Sequence, residues 1–483
     1  MPERSEVPEG WERTSLKDVL TINYGKGLKK DDRVGETYSV YGSNGVVGHH
    51  REAITEGPTI IIGRKGSVGE VNYSPQPCWP IDTTYYVDSF SEMNVSFIFY
   101  LLKTLQLAKF DTSTAIPGIN RNDIYSQEIP LPPLAEQHRI VAAIEALFAR
   151  LDAANARLER VPGILKQFRQ SVLATACDGR LTEDWRAENP EVHVLIDTLN
   201  EICGSKQRRY KDEPEESEKY QNEKFQNLKT LKSDCGSDRS VRIPEHWTWL
   251  LLPTIGHMHR GTSKHRPRND PSLFGGDYPF IQTGEIAQSK GRIVSHSNTY
   301  NEKGLAQSKL WPKGTVCITI AANIANSAIL TYPACFPDSV VGIIPTKDVC
   351  TSEYLEYFFR TVKDNLSQFA PATAQKNINI GILNDVAIPL PPFREQHEIV
   401  RRVDALFALA DRIEAKVAAA REKTETMRQS ILAQAFSGRL VPTEAELARQ
   451  EGREYEPASV LLERIRSEKK EKKGRKGVQS TLV

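Results

Sequence analysis

Residues 129–149 read IPLPPLAEQHRIVAAIEALFA, and residues 388–408 read IPLPPFREQHEIVRRVDALFA. The two stretches lie 259 positions apart. The correspondence runs without a gap from Ile129/Ile388 to Leu181/Leu440, with 25 identities in 53 positions. It closes with RQSVLATACDGRL at 169–181 against RQSILAQAFSGRL at 428–440. Such agreement requires duplication of half the chain, and an internal repeat decides the architecture before any local assignment. Upstream, the copies share landmarks only. Pro8-Glu9-Gly10-Trp11 recurs as Pro244-Glu245-His246-Trp247, and AIPGIN at 115–120 faces AQKNIN at 374–379. One unit is therefore a variable region followed by a shared region. A shared part does one job twice; a divergent part does two different jobs.

The shared part reads as helix. Ile140, Ile144, Leu147, Leu151, Ala154, Leu158 and Val161 alternate steps of four and three, as do Ile399, Val403, Leu406, Ala410, Ile413, Val417 and Ala420. Three heptads of this spacing make a coiled-coil seam, and the apolar series continues through Leu165, Phe168 and Val172, and through Met427 and Ile431. Pro132-Pro133 and Pro391-Pro392 suit helix starts, Gly179 and Gly438 the ends. Pro162-Gly163 predicts a kink or break near Val161, because proline lacks the N–H and its ring clashes with the preceding turn. The second copy has no breaker, which predicts a helix from Arg394 to Phe436. Antiparallel pairing of the two helices would relate the units by a pseudo-two-fold axis. A helix of that length spans about 65 Å, against about 34 Å per turn of B-DNA. Such a frame could hold two different recognition surfaces one to two turns apart.

The variable parts are mixed. Residues 59–62 (TIII), 84–87 (TYYV) and 316–320 (VCITI) read as strands, while 96–109 and 352–366 read as helices among glycine-rich turns. Residues 186–240 form a charged linker. Its apolar patch at 194–199 (VLIDTL) echoes 460–465 (VLLERI), so each repeat can end in a short extra helix; Lys469 to Lys476 reads as a basic tail.

Composition narrows the function. The 483 residues carry 63 Lys+Arg and 62 Asp+Glu, a net charge of +1, which excludes a uniformly basic nucleic-acid coat but not a local basic surface. Seven cysteines, without a C-x-x-C pair, argue against a zinc ribbon or a disulfide framework and fit a reducing cytoplasm. No stretch reads as a signal peptide or a membrane span. No P-loop, G-x-G-x-x-G fingerprint, H-E-x-x-H motif or amino-methyltransferase N/D-P-P-Y/F motif is present. His138 and His397 recur in Glu-Gln-His without further ligands, so Glu136-Gln137-His138 and Glu395-Gln396-His397 read as helix caps or partner contacts rather than chemistry. A binding protein fits this pattern, with no metal site and no catalytic residue.

PLPPLAEQHRIV and PLPPFREQHEIV, each followed by a helix and a closing GRL, resemble the specificity (S) subunit of type I restriction–modification systems, over nearly the whole chain. The resemblance implies a non-catalytic DNA-binding subunit with two target-recognition domains, each reading one half of an asymmetric bipartite target on double-stranded DNA, while the paired helices set the spacer. It implies two methyltransferase (modification) subunits and two restriction (motor nuclease) subunits as partners. S-adenosylmethionine, ATP and Mg2+ would belong to those partners and none to this chain. The competing reading is a coiled-coil scaffold without DNA readout, and exchange of one variable segment separates the two. A stand-alone methyltransferase is disfavoured by the missing motif.

The fold class expected is therefore α+β: two loop-rich domains joined by two long helices in an antiparallel coiled coil. The boundaries are 1–133 for the first target-recognition domain, 134–185 for the first spacer helix region and 186–240 for the linker. Residues 241–392 form the second domain, 393–440 the second helix region and 441–483 the C-terminal basic tail. Base edges are read by polar side chains on loops. The candidates are Lys26, Lys29, Lys30, Ser43, Asn44, Arg64, Lys65, Ser67 and Asn120, then Arg260, Ser263, Lys264, Gln282, Thr283, Lys290, Lys376 and Asn377. Residues 1–128 hold 13 basic and 17 acidic side chains, and 241–387 hold 14 and 11. The first domain must cluster its positive groups on one face or rely on partners for neutralisation. Arg139, Glu145, Arg150, Asp152, Glu398, Arg401, Arg402 and Asp404 are candidates for partner contact on the outer helix faces.

Overall fold

The computed structural model describes residues 7–111, 117–192, 243–265, 267–321, 323–368 and 380–479. Two helices dominate it, Leu134–Cys177 and Phe393–Ala435, of 44 and 43 residues. The expected break is absent, because the first helix runs through Pro162. Pro162 and Gly163 lie on its exposed side, and seam residues Leu151 and Leu165 are buried on either flank. A proline costs a helix interior about 3 kcal/mol, but an amphipathic helix draws most of its stability from packing its apolar face.

Two compact units result: Met1–Arg160 with Val417–Val483, and Val161–Lys416. Each unit contains one globule and part of each long helix. In the first unit Arg428 pairs with Asp152 and Thr424 Oγ1 donates to Asn155 Oδ1 at 2.8 Å. In the second, Arg169 reaches Asp411 at 2.6 Å and Glu414 at 3.0 Å, and Arg402 reaches the Leu181 carbonyl at 2.9 Å. Residue numbers rise on one helix as they fall on the other, so the pairing within each unit is antiparallel. Ile140, Ile144, Leu151, Leu165, Val172, Ile399, Val403 and Ala410 are buried on the seam. Met427 is not: it is 43% exposed, and Thr424 takes the buried position. A polar pair in an apolar seam is a device that specifies register.

The first globule contains three sheets. β1 (Glu12–Ser15) pairs antiparallel with β9 (Glu128–Leu131). A four-stranded sheet has the order β2 (Asn23–Tyr24), β8 (Thr84–Val87), β5 (Thr59–Gly63), β6 (Val71–Ser74). A three-stranded sheet has the order β4 (Gly45–His50), β3 (Tyr38–Gly42), β7 (Cys78–Pro80). The helix expected over 96–109 is shorter, Val95–Thr104. Gln106 then turns at φ +48° into a 3-10 turn at Leu107–Phe110. In the second globule β10 (Thr248–Leu251) pairs with β18 (Ala387–Leu390). A five-stranded sheet has the order β11 (Gly256–Arg260), β17 (Val340–Pro345), β15 (Val316–Thr319), β16 (Ser327–Leu330), β13 (Arg292–Ile293). β12 (Phe274–Phe280) pairs with β14 (Asn298–Tyr300), and the helix Ser352–Gln368 packs Tyr354, Leu355 and Phe359 into the core.

The two globules are fastened to their helices in the same way. Trp11 Nε1 donates to Glu136 Oε1 at 2.9 Å, and Trp247 Nε1 to Glu395 Oε2 at 2.9 Å. Gln137 Oε1 accepts from the Asn94 N–H at 3.1 Å, and Gln396 Oε1 from the Thr351 N–H at 2.8 Å. The shared Glu-Gln pair thus ties globule to helix rather than capping its own helix. Gly438, at φ +71°, packs where a Cβ would sit 2.3 Å from Pro8. Gly179, at φ +85°, packs where a Cβ would sit 2.4 Å from Pro244. The closing GRL of each repeat therefore seats on the opening Pro-Glu-x-Trp of the other.

The C-terminal segment is not a free basic tail. It forms helices Glu444–Glu451 and Ala458–Gln479, and Ala458, Leu461, Leu462 and Ile465 join the first unit's core. Arg466 pairs with Asp18 at 2.8 Å, and Lys469 donates to the carbonyls of Lys17 and Leu20 at 2.7 and 2.8 Å. The apolar face of VLLERI needs a surface to bury against, and Lys469 after it reaches carbonyls at the end of a short helix, where cations are favoured. The echoing segment 194–199 lies outside the described residues.

Candidate nucleic-acid interface

In the first globule most candidate readers converge on one set of loops. Gly25 is held against the Ile81 carbonyl, only 1.9 Å from where a Cβ would be, so no other residue fits. The next residue, Lys26, takes its place there: its N–H reaches the Pro80 carbonyl and its own carbonyl accepts from Trp79 Nε1 at 2.8 Å. After β5, the N–H groups of Arg64 and Lys65 both donate to the Thr83 carbonyl, and the Arg64 carbonyl accepts from Ile119. Gly63 permits this loop, since a Cβ would meet the Ser67 carbonyl at 2.1 Å. The loop after β5, the turn before β8 and the segment leading to Asn120 are thereby stitched together. Asn44, at the tip of the β3–β4 hairpin, is exposed, as are Lys26, Lys65, Ser67 and Asn120. Asn120 Oδ1 caps the short helix Arg121–Tyr125 by accepting from Asn122. Lys29 and Lys30 are exposed at the 3-10 turn Lys30–Asp32.

Ser43 departs from this picture. It is buried, with Oγ at 2.5 and 2.7 Å from the carbonyls of Lys65 and Thr83, so its hydroxyl serves the loop junction and not a ligand. Two residues the sequence did not mark stand in the same cluster. Tyr24 is 51% exposed, and the Arg64 and Arg121 guanidinium groups lie 5.4 and 4.9 Å from its ring centroid. A lone tyrosine and a helix-start arginine carry no signal in a linear sequence.

In the second globule the candidates form two groups. Arg260 and Lys264 sit at the end of β11, where Arg260 donates to the Asp338 carbonyl at 2.8 and 3.0 Å. Ser263 is buried and is set aside as a reader. Gln282, Thr283 and Lys290 flank the helix Thr283–Gln288, with Glu285 accepting from the N–H groups of Gln282 and Ser297, both at 2.7 Å. Lys290 is exposed and borders a cavity of about 390 Å³ lined also by Arg169, Arg360, Lys363 and Phe407. Lys376 and Asn377 lie outside the described residues. Arg268, which the sequence also left unmarked, pairs with Asp338 Oδ2 at 2.7 Å.

Several helix-face candidates are engaged within the chain. Arg139 bonds Glu444 at 2.5 Å, Asp152 bonds Arg428, Arg402 bonds Asp184 at 2.6 Å, and Asp404 accepts from Tyr357 at 2.5 Å. Arg401 and Arg402 hold the Glu398 carboxyl down at about 2. Glu145 and Arg150 remain exposed. The five described cysteines are buried and unpaired, and burial pushes the Cys177 thiol up to about 12. No helix among the described residues is long and apolar enough to cross a membrane.

Comparison with known proteins agrees with this geometry. The model of the type I restriction modification DNA specificity domain matches twice, over residues 8–162 and 254–420. The EcoDI specificity subunit of Escherichia coli is 26% identical over 483 residues, covering 98% of each chain. The EcoKI specificity subunit of Escherichia coli strain K12 is 29% identical over 376 residues, covering 75% of this chain and 70% of its own. In fold, the chain superposes on the HsdS subunit from Thermoanaerobacter tengcongensis with a TM-score of 0.55 at 19% identity, covering 90% of this chain and 99% of that one. A chain from a structure of type I R-M complex assembly and conformational transition gives 0.61 with the same identity and coverage. With two matched domains, each fastened by the same tryptophan–glutamate bond to a repeated helix, the chain belongs to the type I restriction modification DNA specificity family.

Proposed function

We propose that this chain is the non-catalytic DNA-reading subunit of a type I restriction–modification complex, recognising an asymmetric bipartite target on double-stranded DNA. The observation that carries this is the contrast between the globules. Their loops and sheets differ, four- and three-stranded against five-stranded, while the joints that hold them to the helices are the same. Identical frames with dissimilar reading surfaces suit two dissimilar half-sites. Lys26, Lys29, Lys30, Asn44, Arg64, Lys65, Ser67 and Asn120 would serve the first half; Arg260, Lys264, Gln282, Thr283 and Lys290 would serve the second. Two modification and two restriction subunits are the proposed partners in the cytoplasm, and S-adenosylmethionine, ATP and Mg2+ would be bound by them.

Methylation mapping of DNA from cells expressing this chain with its modification subunit tests the reading. A bipartite motif that loses one half when residues 1–128 are exchanged supports it. An assembled complex that produces no new motif favours the scaffold reading.

A further inference from the structure

We propose that Arg64, Tyr24 and Arg121 form a clamp for a backbone phosphate of the DNA, one that sets affinity and register without reading sequence. This rests on the reading of the first globule as a DNA-binding domain, and within it assigns Arg64 to the phosphate backbone and not to a base edge. The three residues come from separate places, the loop after β5, strand β2 and the start of the helix Arg121–Tyr125, and the fold stacks both guanidinium groups over one ring.

That arrangement holds two positive charges together. Arg64 lies 5.8 Å from the Tyr85 ring as well, and Arg121 5.8 Å from that of Tyr125. Tyr85, 5.1 Å from Tyr24 and edge-on to it, fixes the platform. Among the described residues neither arginine forms an ion pair with a carboxylate, although Arg13, Arg51, Arg169 and Arg186 all do. Among the described residues the one polar partner of the Arg121 guanidinium is the Ile22 carbonyl, at 3.3 Å. A cation–π contact is worth about 0.5–1 kcal/mol at an exposed site and leaves the charge in place. Two uncompensated guanidinium groups on a half-exposed ring, in a domain with more acidic than basic residues, call for an anion from outside. Exposed Lys26 and Lys65 border the same loops, so the anion belongs to a polyanion and not to an isolated carboxylate. Guanidinium groups bind phosphate oxygens bidentately, and phosphate contacts position a protein on the duplex without specifying bases.

The test uses the complex assembled with its modification subunits. Binding is measured against salt, with a duplex carrying the methylated motif and one lacking it. For R64Q/R121Q the proposal expects weaker binding to both duplexes, a log–log salt slope shallower by about 0.9 for each phosphate contact removed, and an unchanged methylated motif. R121K, which keeps the charge, should retain most of the slope and guards against a folding defect in the double variant. An unchanged slope in R64Q/R121Q, or a motif that becomes degenerate at one base pair, overturns the clamp and leaves the DNA-binding reading intact. A wild-type complex that fails to prefer its motif duplex would instead remove the reading beneath it.

Discussion

Trp11 and Glu136, far apart in sequence, meet through an indole N–H···carboxylate bond of 2.9 Å that Trp247 and Glu395 repeat at the same length. Both carboxylates are buried and take further partners: the Glu444 N–H at 2.8 Å on Glu136, and both Thr182 and Arg186, at 2.7 and 2.6 Å, on Glu395. Burial pushes the Glu136 carboxyl up, and these donors oppose the shift.

Removing these acceptors should uncouple the globules from the helices. Glu136→Ala strands two buried N–H groups, a loss of about 2–4 kcal/mol. Glu395→Ala also leaves the Arg186 charge unpaired and should cost more, about 3–5 kcal/mol. Hydrogen exchange on the full chain will show each loss confined to its own unit, with Glu395→Ala the larger.

The antiparallel register should depend on Arg428 and Asp152. Asp152→Arg alone places two arginines together and lowers stability, and adding Arg428→Asp restores it. The coupling in a double-mutant cycle should be about 0.5–1 kcal/mol, since the carboxylate is largely exposed. No recovery in the double variant would show that the pair does not set the register.

Pro162→Ala should stabilise the chain. The residue is exposed in mid-helix, and replacement restores a helical N–H and relieves the ring clash. A gain of about 1–3 kcal/mol is expected, read as a higher Tm.

Stability should carry a pH signature from Glu356. Burial raises its carboxyl to about 7, against 4.5 when free, even with Arg360 at 2.7 Å. A raised carboxyl keeps its proton in the folded state while the unfolded state loses it. The contribution is therefore fully present below pH 4.5 and is lost as pH rises to about 7, a change of about 3 kcal/mol. Glu356→Gln should gain on the wild type across this window in urea unfolding; a constant difference between the two would refute the assignment.

The repeat, the helices and their apolar seam were legible in the chain because duplication and heptad spacing are linear patterns. So were the core strands at 59–62, 84–87 and 316–320, short apolar runs bounded by turns. Helix continuity through Pro162 was not, because it turns on packing energy contributed by the opposite helix. Nor was the folding of the C-terminal segment onto the first unit, where a basic run conceals an apolar stripe. Among the loop candidates, sequence identified residue types suited to DNA but could not separate exposed Asn44 from buried Ser43 beside it. The sequence alone thus determined that two different globules share one duplicated helical frame. Only the tertiary structure decided which side chains face outward and which charges are compensated, as with Tyr24 between Arg64 and Arg121, because burial and pairing depend on residues brought together from distant parts of the chain.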